Sequence, residues 1–143
     1  MAAAATYAAR RARKGFAARA LHPSACGTGG MLSESEKFIL GQNSQANLAL
    51  HGQEYNDESW AICCSDMLIK DEDTKNIVLG DTLGDGKTCD GFEGSSFHYM
   101  LANPPFGTSK GGDASITRDD LTYKTSNKQL AFLQHIYRNL KPG

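Results

Sequence analysis

With 143 residues, 40% of them hydrophobic and 22% charged, the chain has the size and composition of one globular domain with an apolar core. Its formal net charge of -1 excludes a general basic surface that would hold nucleic acid through phosphates alone, and no run approaches the roughly 18 consecutive apolar residues of a membrane helix. Four cysteines, Cys26, Cys63, Cys64 and Cys89, show no C-x-x-C spacing and do not suit a disulfide framework, which points to a reducing cytoplasm.

Residues 1–22 stand apart. They are rich in Ala and carry Arg10, Arg11, Arg13, Lys14 and Arg19 with no acid, whereas the remainder has ten basic against sixteen acidic residues. An Arg-rich, acid-poor start reads either as a transit peptide or as sequence added where a gene model is extended upstream of, or spliced into, a coding region. It is expected to be disordered or helical, with the folded domain running over 23–143.

From there the pattern repeats strand, glycine or acidic turn, helix, which predicts an α/β domain with a parallel sheet. Residues 26–30 form a small-residue loop opening into a helix over 31–40, with Glu34 and Glu36 near its start. A short strand over 48–51 should end at a loop formed by Gly52, Gln53 and Glu54. A helix follows, capped by Asn56 or Asp57 and burying Trp60, Cys63 or Cys64, and Met67 at helical spacing. Further strands are predicted over 76–79 and 97–102, separated by a Gly- and Asp-rich surface loop over 84–96. After a second long loop over 107–120, an amphipathic helix over 129–140 should bury Leu130, Leu133, Ile136 or Tyr137, and Leu140.

Each predicted strand delivers polar or special residues at its carboxyl end, where ligands bind in open α/β sheets. The loop of Cys26, Gly27, Thr28, Gly29 and Gly30 permits close backbone approach of a nucleotide-like ligand, although a glycine turn alone is equally a structural turn. No Gly-Lys-Ser/Thr run follows, which disfavours a nucleoside triphosphate. Glu54 suits the two hydroxyls of a ribose, or is a solvated carboxylate at a helix start. Asp81 suits an adenine amino group, or is an ordinary turn residue.

Asn103, Pro104, Pro105 and Phe106 form the most informative run. Two prolines after a hydrophobic strand fix the backbone, so the Asn103 side-chain oxygen and the Pro104 carbonyl can accept from one substrate NH2 group. An exocyclic amine on an aromatic ring is planar and a poor nucleophile. Two acceptors draw its hydrogens out of plane and localise its lone pair for attack on a sulfonium methyl. Phe106 offers a face for stacking an extruded base. A rigid turn is the bland alternative.

Taken together, CGTGGML at 26–32, GQE at 52–54, GDTL at 80–83 and LANPPF at 101–106 resemble, in order and spacing, the modification subunit of type I restriction-modification systems, an N6-adenine DNA methyltransferase. The resemblance covers residues 24–143. It implies a Rossmann-like class I methyltransferase fold, truncated after about four strands, with S-adenosyl-L-methionine as methyl donor. Cys26 to Gly30 would wrap its amino-acid end, Glu54 would hold its ribose and Asp81 its adenine, and Asn103 to Phe106 would hold the target adenine. DNA and the specificity and restriction subunits are the implied partners, with no membrane role.

The family loop usually reads Asp-Pro before x-Cys-Gly-Thr-Gly-Gly, and here Pro23 and Ser24 stand in those places. Arg- and Ala-rich sequence occupies the place of the preceding strand, which is therefore expected to be damaged. In the family, Leu140 to Gly143 introduces further sheet and DNA-recognition regions, so the chain is expected to be a fragment with little or no methylation alone. The same Asn-Pro-Pro-aromatic chemistry serves cytosine N4, RNA bases and protein glutamine, and a catalytically dead binding module is the rival from another class.

Overall fold

The computed structural model describes residues 19–23, 25–84, 90–103 and 116–142. Strand β1 (Arg19–Pro23) leads through the glycine loop into helix α1 (Gly30–Gln42). Strands β2 (Leu48–Leu50) and β3 (Gly52–Glu54) follow, separated by His51 alone. Then come α2 (Asp57–Ile69), a 3-10 turn (Thr74–Asn76), β4 (Ile77–Leu79), β5 (Tyr99–Leu101) and α3 (Lys128–Asn139).

Every ladder among the described residues is parallel. β1 is central to one sheet, and its Leu21 is in register with Leu50 of β2 on one side and Tyr99 of β5 on the other. β3 pairs with β4, Glu54 opposite Leu79. Because β2 and β3 are two halves of one nearly continuous stretch, the strands run β4, β3/β2, β1, β5 across the molecule. This is the order of half a doubly wound fold, with its switch point beside β1.

Three expectations about strands and loops need correction. The strand before the glycine loop is present: β1 is flanked on both sides, and sheet pairing overrides the composition that hid it. The boundary expected after residue 22 thus falls inside a strand. The stretch from Gly52 to Glu54 is itself strand, not loop. In the span read as a surface loop, Asp90 and Phe92 are buried. Phe92, Phe97 and His51 meet edge to face at centroid separations of 5.2–5.7 Å, and the Gly91 amide donates to the buried Gln53 Oε1 (2.9 Å).

The main core gathers Cys26 of the glycine loop, Leu32 and Ile39 of α1, Cys63 and Met67 of α2, and Leu50, Ile77 and Tyr99 of the strands. α2 begins as its sequence predicts: Asn56 accepts from Ser59 N (2.8 Å), and Asp57 and Glu58 lie in the first turn. Trp60 Nε1 donates to the Ile77 carbonyl (2.9 Å), fastening α2 to β4. α1 begins one residue earlier than expected, with no acid in its first turn, and Glu34 pairs instead with Lys37.

Helix α3 forms where predicted but is turned. It buries Ala131, Phe132, His135 and Asn139, whereas Leu133 and Tyr137 are 61% and 85% exposed and Leu130 and Leu140 are exposed as well. The reason is polar. His135 and Asn139 face a buried ionic cluster built around Arg118, and Phe97 N donates to Asn139 O while Lys141 N donates to Phe97 O (both 2.8 Å), pinning the end of α3 beside β5. Below that face, Phe132 and Ala131 pack with Leu83 and Leu121 in a second apolar cluster.

Candidate active site

Parallel pairing puts the carboxyl ends of the strands on one edge, and the sequence places its polar residues there. Pro23 and Leu101 are the last pair between β1 and β5, so the glycine loop and Asn103 emerge side by side. Glu54 and Leu79 are the last pair between β3 and β4. Gly80 N extends that ladder to Glu54 O (2.9 Å), and Asp81 follows directly.

The glycine loop is stitched to the neighbouring strand. Cys26 N donates to Gln53 O (2.9 Å), Gly29 N closes the turn on Cys26 O (3.1 Å), and Gly27 N donates to Glu54 Oε2 (2.7 Å). Within the loop the residues divide into two groups. Cys26 and Gly29 face inward: the Cys26 thiol is buried against Cys63, and a Cβ on Gly29 would lie 2.8 Å from Cys63 Sγ. Gly29 also has φ +86, the left-handed conformation that lets it cap α1. The hydrogen bond that Cys26 makes to Cys63, with burial second, pushes its thiol pKa up, so the thiol stays protonated.

Gly27 and Gly30 face open space, with nothing within 4 Å of an added Cβ, and Thr28 is exposed. Backbone approach of a ligand is therefore free at these positions, and the Glu54 carboxylate lies at hydrogen-bonding distance from the same loop. Glu54 Oε1 accepts from Asn56 N (3.0 Å), and each carboxylate oxygen has a further lone pair for a hydroxyl donor. These residues fit an adenosine-type cofactor lying across the strand ends.

Asp81 Oδ1 accepts from Leu83 N (2.9 Å), and Gly84 N closes the turn on Asp81 O (3.1 Å). A Cβ on Gly84 would stand 2.9 Å from that of Asp81, so the turn is tight around the carboxylate. Asn103 is exposed just beyond β5. Pro104, Pro105 and Phe106 lie outside the described residues, as does Ser24.

The ionic cluster beside this edge has no counterpart among the sequence expectations. Arg118 and Asp90 are 7% and 4% exposed at their side chains and His135 is fully buried. Arg118 forks onto Asp120 through Nε and Nη2 (both 2.7 Å), and its Nη1 donates to the Thr82 carbonyl (2.6 Å) and His135 Nδ1 (3.0 Å) and lies 3.5 Å from Asp90 Oδ2. Apolar periodicity carries no trace of such a group.

The model of the N-6 DNA methylase family matches residues 16–143, β1 included. The chain belongs to the N-6 DNA methylase family. It is 32% identical over 136 residues to the methylase subunit of the Escherichia coli type I restriction enzyme EcoKI, covering 83% of this chain and 24% of that protein. It thus spans about a quarter of the length of that relative. Its fold is shared with the type I restriction-modification methyltransferase subunit of Streptococcus thermophilus, at TM-score 0.65 and 23% identity over 96% of this chain and 31% of the other. A Listeria monocytogenes protein described as a class I S-adenosylmethionine-dependent methyltransferase superposes at TM-score 0.73 with 14% identity, over 97% of this chain and 41% of that one. The architecture of this N-6 DNA methylase family member is accordingly a Rossmann-like methyltransferase fold.

Proposed function

We propose that this chain forms the cofactor-binding half of a DNA adenine-N6 methyltransferase of the type I restriction-modification kind, using S-adenosyl-L-methionine. The observation that carries the reading is the Gly27 amide donating to the Glu54 carboxylate, which brings the glycine loop and the acidic strand end into one cradle. In this reading Gly27, Thr28 and Gly30 line the path of the cofactor's amino-acid end, Cys26 and Gly29 shape the loop from within, Glu54 accepts from the ribose hydroxyls and Asp81 accepts from the adenine amino group. When bound, the cofactor supplies an electrophilic sulfonium methyl. Asn103, with Pro104 and Pro105, accepts from the target amino group and localises its lone pair, and Phe106 stacks on the extruded base. Target choice and cleavage fall to DNA-reading specificity and restriction subunits, in the cytoplasm. Among the described residues no helix is long and apolar enough to cross a membrane.

Calorimetry of the full chain with S-adenosylmethionine tests the cradle: binding is expected, and absence of heat with a folded chain would refute it. The transfer step is tested in a chimera in which this chain replaces the matching segment of a type I methylase subunit. N6-methyladenine should appear in duplex DNA and vanish on Asn103→Ala, while cofactor affinity changes less than about threefold, because Asn103 touches substrate and not donor. Methylation of cytosine, RNA or glutamine instead would move the same chemistry to another substrate.

A further inference from the structure

Asp81 does not hold its own position. Its Oδ1 is engaged by the Leu83 amide, so the carboxylate points wherever the turn over residues 81–84 points. That turn is gripped from its other side by the segment over residues 116–120. Thr117 N donates to the Leu83 carbonyl (3.2 Å) and Arg118 Nη1 donates to the Thr82 carbonyl (2.6 Å). Arg118 is itself immobilised by the two-pronged fork on Asp120 and by contacts with Asp90 and His135. A buried guanidinium bound on several sides has little freedom, and it transmits that rigidity to the one carbonyl it meets in the turn.

We propose that Arg118 is a positioning residue for cofactor recognition, setting the Asp81 carboxylate toward the adenine amino group through the Thr82 carbonyl. The proposal rests on the reading of Asp81 given above. A lysine at 118 keeps the charge but cannot fork on Asp120 and reach Thr82 O together, so the turn would loosen and the contact with the amino group would weaken.

The test measures two dissociation constants with the full chain: one for S-adenosylhomocysteine, and one for the same thioether with unsubstituted purine in place of adenine. Wild type should prefer the adenine compound by about tenfold or more, the discrimination expected of a hydrogen bond to a carboxylate. Arg118→Lys should shrink that preference to within about threefold, weakening the adenine compound far more than the purine one. In an Asp81→Asn background, Arg118→Lys should leave the ratio unchanged. The ratio does not depend on the folded fraction, since unfolding scales both constants alike. Asp120→Asn, which removes the fork and leaves Arg118 in place, should move the ratio in the same direction by less and serves if Arg118→Lys does not fold.

Equal weakening of both compounds by Arg118→Lys, or an equal effect with and without Asp81, would overturn the proposal while leaving the cofactor site standing. A wild-type chain that binds neither compound, or binds both alike, would overturn the reading of Asp81 and the proposal with it.

Discussion

Both carboxylate oxygens of Glu54 accept from backbone amides, Oε2 from Gly27 and Oε1 from Asn56, so this residue by itself organises the glycine loop and the α2 entrance. Glu54→Gln keeps the shape but removes the charge and turns one acceptor into a donor facing an amide. We expect calorimetry to show affinity for S-adenosylmethionine falling about tenfold or more, in line with the loss of hydrogen bonds to a charged group. An unchanged affinity would take Glu54 out of the site. Gly29 makes the complementary point about space. Gly29→Ala faces both φ +86 and a Cβ 2.8 Å from Cys63 Sγ. A destabilisation of about 2–3 kcal/mol is expected in urea melts, and Cys63→Ala in the same background should recover the contact part but not the backbone part. Gly27→Ala has the positive φ without the contact and should cost less.

At the scale of an element, α3 offers the clearest contrast between what an apolar stripe suggests and what packs. Phe132 lies in the second apolar cluster with Leu83, Leu121 and Ala131, whereas its neighbour Leu133 is mostly exposed. Phe132→Ala is expected to cost about 3–5 kcal/mol and Leu133→Ala to stay within about 0.5 kcal/mol, read as shifts in the urea midpoint. The reverse ranking would mean that the helix is rotated from the position described. The same element carries His135, whose polar edge meets Arg118, Asp90 and Asn139 and not water. Arg118 can only donate, so His135 Nδ1 accepts from it and the ring is neutral in the folded chain.

For the molecule as a whole, that neutral ring couples folding to pH. Burial, and then the positive charge of Arg118, pushes the His135 pKa down to about 4 from an ordinary 6.5. Because the folded value lies below the unfolded one, the unfolded chain binds more protons between these two pH values. The stability linked to His135 is therefore fully present above about pH 6.5 and falls as the pH drops toward 4, by about 3 kcal/mol in all. His51, lowered mainly by burial, acts in the same direction. The urea midpoint should drop between pH 7 and pH 4.5, and His135→Gln should flatten most, though not all, of that dependence. A pH-independent midpoint in wild type would contradict a buried neutral His135. The Arg118 fork holds the Asp120 carboxyl below its usual range, so its contribution is lost only at still lower pH.

The α/β class, the cap of α2 and the order of the site residues are legible in the amino-acid sequence alone, because each depends on local chemistry: Asn56 caps by reaching three residues along its own chain, and glycine supplies positive φ at Gly29 whatever surrounds it. The four motifs are legible too, as a family pattern. Tertiary structure decided everything that depends on partners distant in the chain. β1 exists because Leu21 finds Leu50 and Tyr99 on its two sides, a fact that its Ala- and Arg-rich approach conceals. Glu54 meets Gly27 across 27 positions, and Arg118 meets Thr82 across 36. α3 shows the physical reason most plainly. Periodicity counts apolar side chains as buried and polar ones as exposed, but a histidine and an asparagine that meet each other and the buried Arg118 can claim the inner face and leave the leucines outside.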